Sequence, residues 1–389
     1  MMKKIALAVN YDYHDYGGML QAFATQQVLS NLGIESEAIN FDCLKQDIKK
    51  RKWKYFLSNI FDISIVKEKT RVIEKSIRQK LNKKLQQNLA QRDKAFDYFC
   101  HANFKISREF KDWNDLNQAC YNYDSILVGS DQLWLPSNVI ADYYTLNFVP
   151  NEVNKIAYAT SFGIGSIPKK YSEIYKKFLF RINHLSAREI SGKEIIKKLL
   201  GKEVPLVCDP AMLLDLNGWN KISSKRLFDE KYIFCYFMGD NPNQRSFVKK
   251  LAAKTGCKIV ALLHLDQYIP SDELYIDYAP YDISPADFVS LIKHADYVCT
   301  DSFHGTVFSI NYSKSFFTFK RFNTKASLST NTRITSLLKT VDLMNRLYEG
   351  NESVDIDIDI NNWDCIQQKV TEFRKNSLHY LKNALGILE

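Results

Sequence analysis

A chain of 389 residues, 46% hydrophobic and 25% charged, has the composition of a globular protein and a length natural for two domains. No apolar run reaches the ~18–20 residues of a spanning helix. The net charge of +9 is concentrated in one segment, with about 18 Lys/Arg against about 7 Asp/Glu between Leu44 and Phe110, so it does not describe the whole surface.

The start, MMKKIALAVNYDYHDYGG, has a basic tip and a short apolar run that stops at Asn10. A signal peptide needs a longer apolar region and a small-residue cleavage site. The run therefore reads as the first buried strand of a cytoplasmic protein. GGMLQAFATQQVLSNLG follows with helical spacing through Leu20, Phe23, Ala24 and Val28 and ends at Gly33. IESEAINFD reads as a second strand. Gly17 and Gly18 open the helix, as a tight strand–helix turn or as a turn that brings backbone N–H groups to an anion.

Residues 44–110 are Lys-rich and helical in character, with no strand signal until Tyr123. LKQDIKKRKWKYFLSNIF (44–61) mixes cations with Trp53, Tyr55, Phe56, Ile60 and Phe61. The pattern suits peripheral contact with an anionic membrane surface, and equally a solvated helical insertion. No nucleic-acid reader motif accompanies the charge, so nucleic acid is not an expected partner.

Strand signals return in YDSILVGSDQLW (123–134), KIAYATSFGIG (155–165), HLSARE (184–189) and VPLVCDPAMLL (204–214). SGKEIIKKLLG between the last two reads as a Ser-capped helix ending at Gly201. Each strand finishes in a polar cluster: Gly129, Ser130 and Asp131; Ser161, Phe162 and Gly163; Arg188 and Glu189; Asp209 and Pro210. Ligands of doubly wound sheets bind outside such carboxyl ends. A second α/β series runs through KYIFCYFMG, CKIVALLH, DYVCT and SFFTFKRF, alternating with the helices PNQRSFVKKLAAKTG, SPADFVSLIKHA and GTVFSINYS. LMNRLYEG and the tail 363–388 read as helical. The expected organisation is an N-terminal Rossmann-like domain, 1–222, with a basic helical insertion at about 44–115. A C-terminal Rossmann-like domain, 223–389, follows, its last helix crossing back to the first.

Eight cysteines without a CxxC pair argue against a disulfide framework or a zinc site. In GSDQLW, Ser130, Asp131 and Gln132 offer donors and acceptors to a hydroxyl-rich ligand, or simply cap a helix. In SAREISG, Arg188 presents a planar fork to a carboxylate or phosphate, or pairs with a surface glutamate. In TDSFHGT, His304 precedes Gly305 near a helix N-terminus, a place for a general acid or for a structural histidine. Lys320, Arg321 and Arg333 follow, with surface charge as their ordinary reading. Walker, HExxH and GxSxG motifs are absent.

The ordered set NYDYHDYGGMLQAFATQQVL, VGSDQLW, ATSFG, SAREISG, CDPAMLL followed by Trp219, and ADYVCTDSFHGTVFSI resembles the polysaccharide pyruvyl transferase family. NTRITSLL is similar to the family's late arginine motif. The resemblance implies an α/β fold of two facing, GT-B-like Rossmann domains. It also implies transfer of pyruvate from phosphoenolpyruvate to two hydroxyls of one sugar, giving a cyclic ketal. Phosphoenolpyruvate is the donor substrate and no cofactor is needed. The acceptor is a glycan or lipid-linked oligosaccharide, met in the cytoplasm or at the inner face of the membrane. By the same resemblance His304 is the general acid, Arg188 holds the donor's anionic groups, and Gly17 and Gly18 form the cleft-facing turn. Ser161, Phe303 and Gly305 lie in matched motifs as substrate-binding positions. Characterised members often carry arginine two positions before the histidine, where this chain has Ser302. Either Arg333 or Arg321 replaces that cation, or the donor differs. The alternatives are a GT-B-type glycosyltransferase with a nucleotide-sugar donor and a non-catalytic glycan-binding relative.

Overall fold

A computed structural model describes residues 3–59, 81–264, 268–321, 331–352 and 362–387. Residues 60–80 of the basic segment, with Ile60 and Phe61, and Phe322 and residue 388 lie outside the described residues.

The described strands form two wholly parallel sheets. The first contains β1 (Lys4–Ala8), β2 (Glu35–Asn40), β3 (Ile106–Glu109), β4 (Ser125–Val128), β5 (Asn154–Ala157) and β6 (His184–Leu185), in the order β3-β2-β1-β4-β5-β6. The second contains β7 (Tyr232–Tyr236), β8 (Lys258–Ala261), β9 (Tyr297–Thr300), β10 (Ser315–Phe319) and β11 (Leu347–Tyr348), in the order β11-β10-β9-β7-β8. Central strands such as β4 and β7 are buried along their whole length. Helices on both faces of a parallel sheet require this, which is why these strands read as apolar runs rather than alternations. The first order is Rossmann-like and the second flavodoxin-like. Both reverse direction at one switch point, between β1 and β4 and between β7 and β9.

Several local expectations are corrected. The segment expected to be helical to residue 110 ends in strand β3, the edge of the first sheet. Its sequence, ISRE, buries only Ser107, so it lacks the apolar pattern that marks a strand. Residues 204–214 form no ladder strand: Leu206 makes an isolated bridge with Ala187, and Pro210–Leu213 is a single helical turn. Pro205 and Pro210 each remove a backbone donor from that run. Ser191 is not the cap of its helix, which spans Ile190–Leu200 after Glu189. LMNRLYEG contains a 3₁₀ turn, Met344–Arg346, and then β11.

Aromatic packing joins the two sheets' layers. Tyr16 stacks on Phe288 at 4.8 Å and its hydroxyl donates to the Ile283 carbonyl at 2.9 Å. Trp219 meets Phe308 edge-on at 4.8 Å. The last helix, Trp363–Ala384, touches both units. Ser377 Oγ accepts from the Cys208 N–H at 2.8 Å and the Tyr380 hydroxyl donates to the Ala157 carbonyl at 3.0 Å. Arg374 donates to Asn311 Oδ1 at 2.8 Å. No helix among the described residues is long and apolar enough to cross a membrane.

Candidate active site

Residues from both switch points meet in one buried cluster. After β1 the chain turns into the helix Tyr16–Asn31 through Asp15, whose carboxylate accepts the Gly18 N–H at 2.6 Å. After β4 come Gly129, Ser130 and Asp131. After β9 comes Ser302, which caps the helix Phe303–Asn311 by accepting the Gly305 N–H at 3.4 Å. Such a cap contributes about 1 kcal/mol. Gly305 is required there, because a Cβ would lie 2.6 Å from Thr300 Oγ1.

His304 is buried directly against the first glycine of the other switch point. A Cβ on Gly17 would lie 2.0 Å from His304 Nδ1 and 2.5 Å from its Cγ. Only glycine leaves room for this ring, so the Gly17 turn and the His304 turn interlock. On its other side, His304 Nε2 lies 3.5 Å from Asp209 Oδ2.

Asp209 is the hub of the cluster. Its Oδ2 accepts from Ser130 Oγ and from Arg188 Nη1, both at 2.7 Å. Its Oδ1 caps the Ala211 N–H at 2.8 Å. Burial alone opposes ionisation of this carboxyl. The neighbouring His304, then Arg188 and Ser130, outweigh burial and hold it well below the usual carboxylate range.

Arg188 extends from Asp209 toward a second arginine. Its guanidinium lies 4.3 Å from the Phe303 ring centre, with Nη2 3.7 Å from Asp131 Oδ1 and Nε 3.8 Å from Glu189 Oε2. Arg333, on the helix Asn331–Thr340, lies 5.9 Å from the same ring, with Nη1 3.9 Å from the same Asp131 oxygen. The Gln132 amide, turned so that its oxygen faces Arg333, accepts from Nη2 at 2.7 Å and Nη1 at 2.9 Å. Burial, and then the charge of Arg188, push the Arg333 pKa down to about 10, partly offset by Asp131. Arg333 therefore stays cationic at neutral pH. Glu189 is held by Ser161 Oγ at 2.8 Å and the Phe162 N–H at 3.2 Å. Burial raises its pKa against the opposing pull of Arg188, Ser161 and Arg333. Asp131 has φ 83°, a left-handed conformation that costs a non-glycine residue energy and recurs at functional sites.

His304, Arg188, Gly17, Ser130, Asp131, Gln132, Ser161, Phe303 and Arg333 thus come together. Ser302, Gly305 and Gly18 form the turns at the edge of the cluster. Arg321 is held at the Asp301 turn, where its Nη2 donates to the Asp301 carbonyl at 3.3 Å and lies 3.7 Å from Asp301 Oδ1, and its charge also helps lower the Arg333 pKa. The Asp301 carboxylate in turn accepts the Met238 and Gly239 N–H groups, both at 2.8 Å. Asp209 and Glu189 were legible as strand-end residues but not as site residues. The available signal was the Asp–Pro pair closing an apolar run.

Among the described residues, Arg188 Nε and Nη2 and Arg333 Nε are buried without a hydrogen-bond partner. Buried donors are rarely left unpaired without a functional reason. Three of them in one cluster suit an anionic ligand that brings its own oxygens.

Two parallel sheets with both switch points turned onto an Arg–His–Asp cluster define an α/β protein of two Rossmann-like sheets. Residues 15–321 match the family model described as Polysaccharide pyruvyl transferase. The chain belongs to that family and is a transferase. Among solved structures it is similar to S. aureus MnaA in a UDP co-structure, at 11% identity and TM-score 0.48, covering 100% of this chain and 98% of that one. It is similar to UDP-GlcNAc 2-epimerase from Neisseria meningitidis bound to UDP-GlcNAc, at 11% identity and TM-score 0.44, covering 97% and 99%. It is also similar to E. coli heptosyltransferase WaaC, at 12% identity and TM-score 0.36, covering 87% and 99%. A search of curated proteins finds no match.

Proposed function

We propose that the protein transfers the pyruvyl group of phosphoenolpyruvate to two hydroxyls of one sugar in a glycan, forming a cyclic ketal and releasing inorganic phosphate. The observation that carries this reading is the set of buried donors without a hydrogen-bond partner on Arg188 and Arg333, inside a member of this family. Protonated His304 delivers a proton to the enol methylene, which becomes a methyl group. One acceptor hydroxyl attacks the ketal carbon and the second displaces phosphate from it. Of the two protons the hydroxyls lose, one restores His304 and the other leaves with the phosphate. Asp209 supplies the negative partner for the protonated ring and orients it. Arg188 neutralises charge on the donor.

Incubation with phosphoenolpyruvate and a panel of glycans should release phosphate and add a pyruvate-sized mass to one of them. The reading falls if the folded protein gives no such product while a nucleoside diphosphate, and not phosphoenolpyruvate, raises its melting temperature. That outcome would favour a nucleotide-sugar glycosyltransferase.

The basic helix Lys45–Leu57 supports a lipid-linked acceptor met at a membrane surface. Trp53 is 49% exposed and Leu57 59% exposed, set among lysines, as on helices that rest on anionic bilayers. Binding to anionic vesicles should then fall as salt rises. Absence of binding at low salt would leave a solvated helix.

A further inference from the structure

We propose that Arg333 is the second cation of the donor site, forming with Arg188 a two-guanidinium clamp for a phosphate or carboxylate and replacing the arginine that Ser302 does not supply. The proposal deepens the pyruvyl-transfer reading and rests on it for the identity of the anion.

Three observations carry it. First, Ser302 and Arg321 are each held at the turn after β9. Ser302 caps its helix, and Arg321 reaches the Asp301 turn. Second, Arg333 is only 7% exposed, yet the nearest carboxylate oxygen paired with it is at 3.9 Å. That is beyond hydrogen-bond distance. Its fork is met by the neutral Gln132 amide, and its Nε has no hydrogen-bond partner among the described residues. Arg245, also buried, is by contrast met by Asp272 at 3.0 Å on two nitrogens. Third, the two guanidiniums converge. Both lie against Phe303, and both stand back from one oxygen, Asp131 Oδ1, by 3.7 and 3.9 Å. Their free N–H groups, Arg188 Nε and Nη2 and Arg333 Nε, match the several acceptors of a phosphate or carboxylate better than the single shared oxygen of Asp131.

The test uses the full chain and measures binding of phosphoenolpyruvate and of inorganic phosphate by titration calorimetry, with melting temperature as the check on folding. Arg333→Gln should weaken both ligands tenfold or more, since a charge-assisted contact is lost. Its ligand-free melting temperature should be no lower than wild type, because a buried cation beside Arg188 is removed. Arg333→Lys, which keeps the charge and loses the fork, should fall between the two. In turnover the loss should appear in KM for the donor more than in kcat. Unchanged affinity in Arg333→Gln overturns the clamp. So does a lowered melting temperature with unchanged affinity, or a wild type that binds neither ligand. Turnover with an unchanged donor KM in Arg333→Gln would overturn the clamp and leave pyruvyl transfer standing. Arg333-dependent phosphate binding without any turnover would keep the clamp and remove the pyruvyl reading.

Discussion

Asp209→Ala is expected to lower folding stability by about 3–5 kcal/mol and to remove turnover. One oxygen of Asp209 accepts from Arg188 and Ser130 and faces His304. Its removal leaves a buried guanidinium without its direct counter-ion and the imidazole without its anchor. Chemical denaturation at several pH values measures the effect. The folded carboxyl sits below its ordinary range. Its contribution is therefore full above the unfolded value near 3.9 and is lost as pH falls toward the folded one. The gap between wild type and variant should be widest near neutrality and narrow below about pH 4. A loss under about 1 kcal/mol at pH 7 would contradict the role of Asp209 as the hub.

His304→Ala should cut turnover by about 10²–10⁴-fold with the fold retained. Gly17→Ala should reach nearly the same loss from the opposite side. Its new methyl would lie 2.0 Å from His304 Nδ1, and such overpacking costs about 1–3 kcal/mol. The double variant separates packing from chemistry. With the ring gone the clash is gone, so Gly17→Ala/His304→Ala should regain the stability that Gly17→Ala loses while staying inactive. A coupling energy of that sign, read from melting curves of all four proteins, reports direct contact. Additive losses would mean that the two turns do not interlock.

Much of the candidate cluster is legible because its residues sit where strands end. GSD, ATSFG, SARE and TDSFHG each follow an apolar run, and a parallel sheet sends such endings to one edge. Asp209 shows the limit. It follows an apolar run that forms no ladder strand, and as the residue before Pro210 it resembles an ordinary helix cap, which its Oδ1 indeed is. That its Oδ2 meets Ser130, Arg188 and His304 depends on four segments converging, and spacing along the chain cannot report that. Strand β3 was missed for a different reason. An edge strand buries too little to leave a pattern, and the charges of Arg108 and Glu109 mask it.

Local chemistry determined the α/β alternation, the turns at Gly33, Gly201 and Gly256, and the positions of His304 and Arg188. Periodicity and backbone preference act over a few residues and are readable there. Only the tertiary structure decided that Gly17 must be glycine for the sake of a ring 287 positions away. Only it placed Arg333 beside Arg188, sharing Phe303 and Asp131, and Arg321 against Asp301. Both outcomes depend on how the helices and turns of the two sheets' units meet, and close contact between distant segments has no signature within either segment.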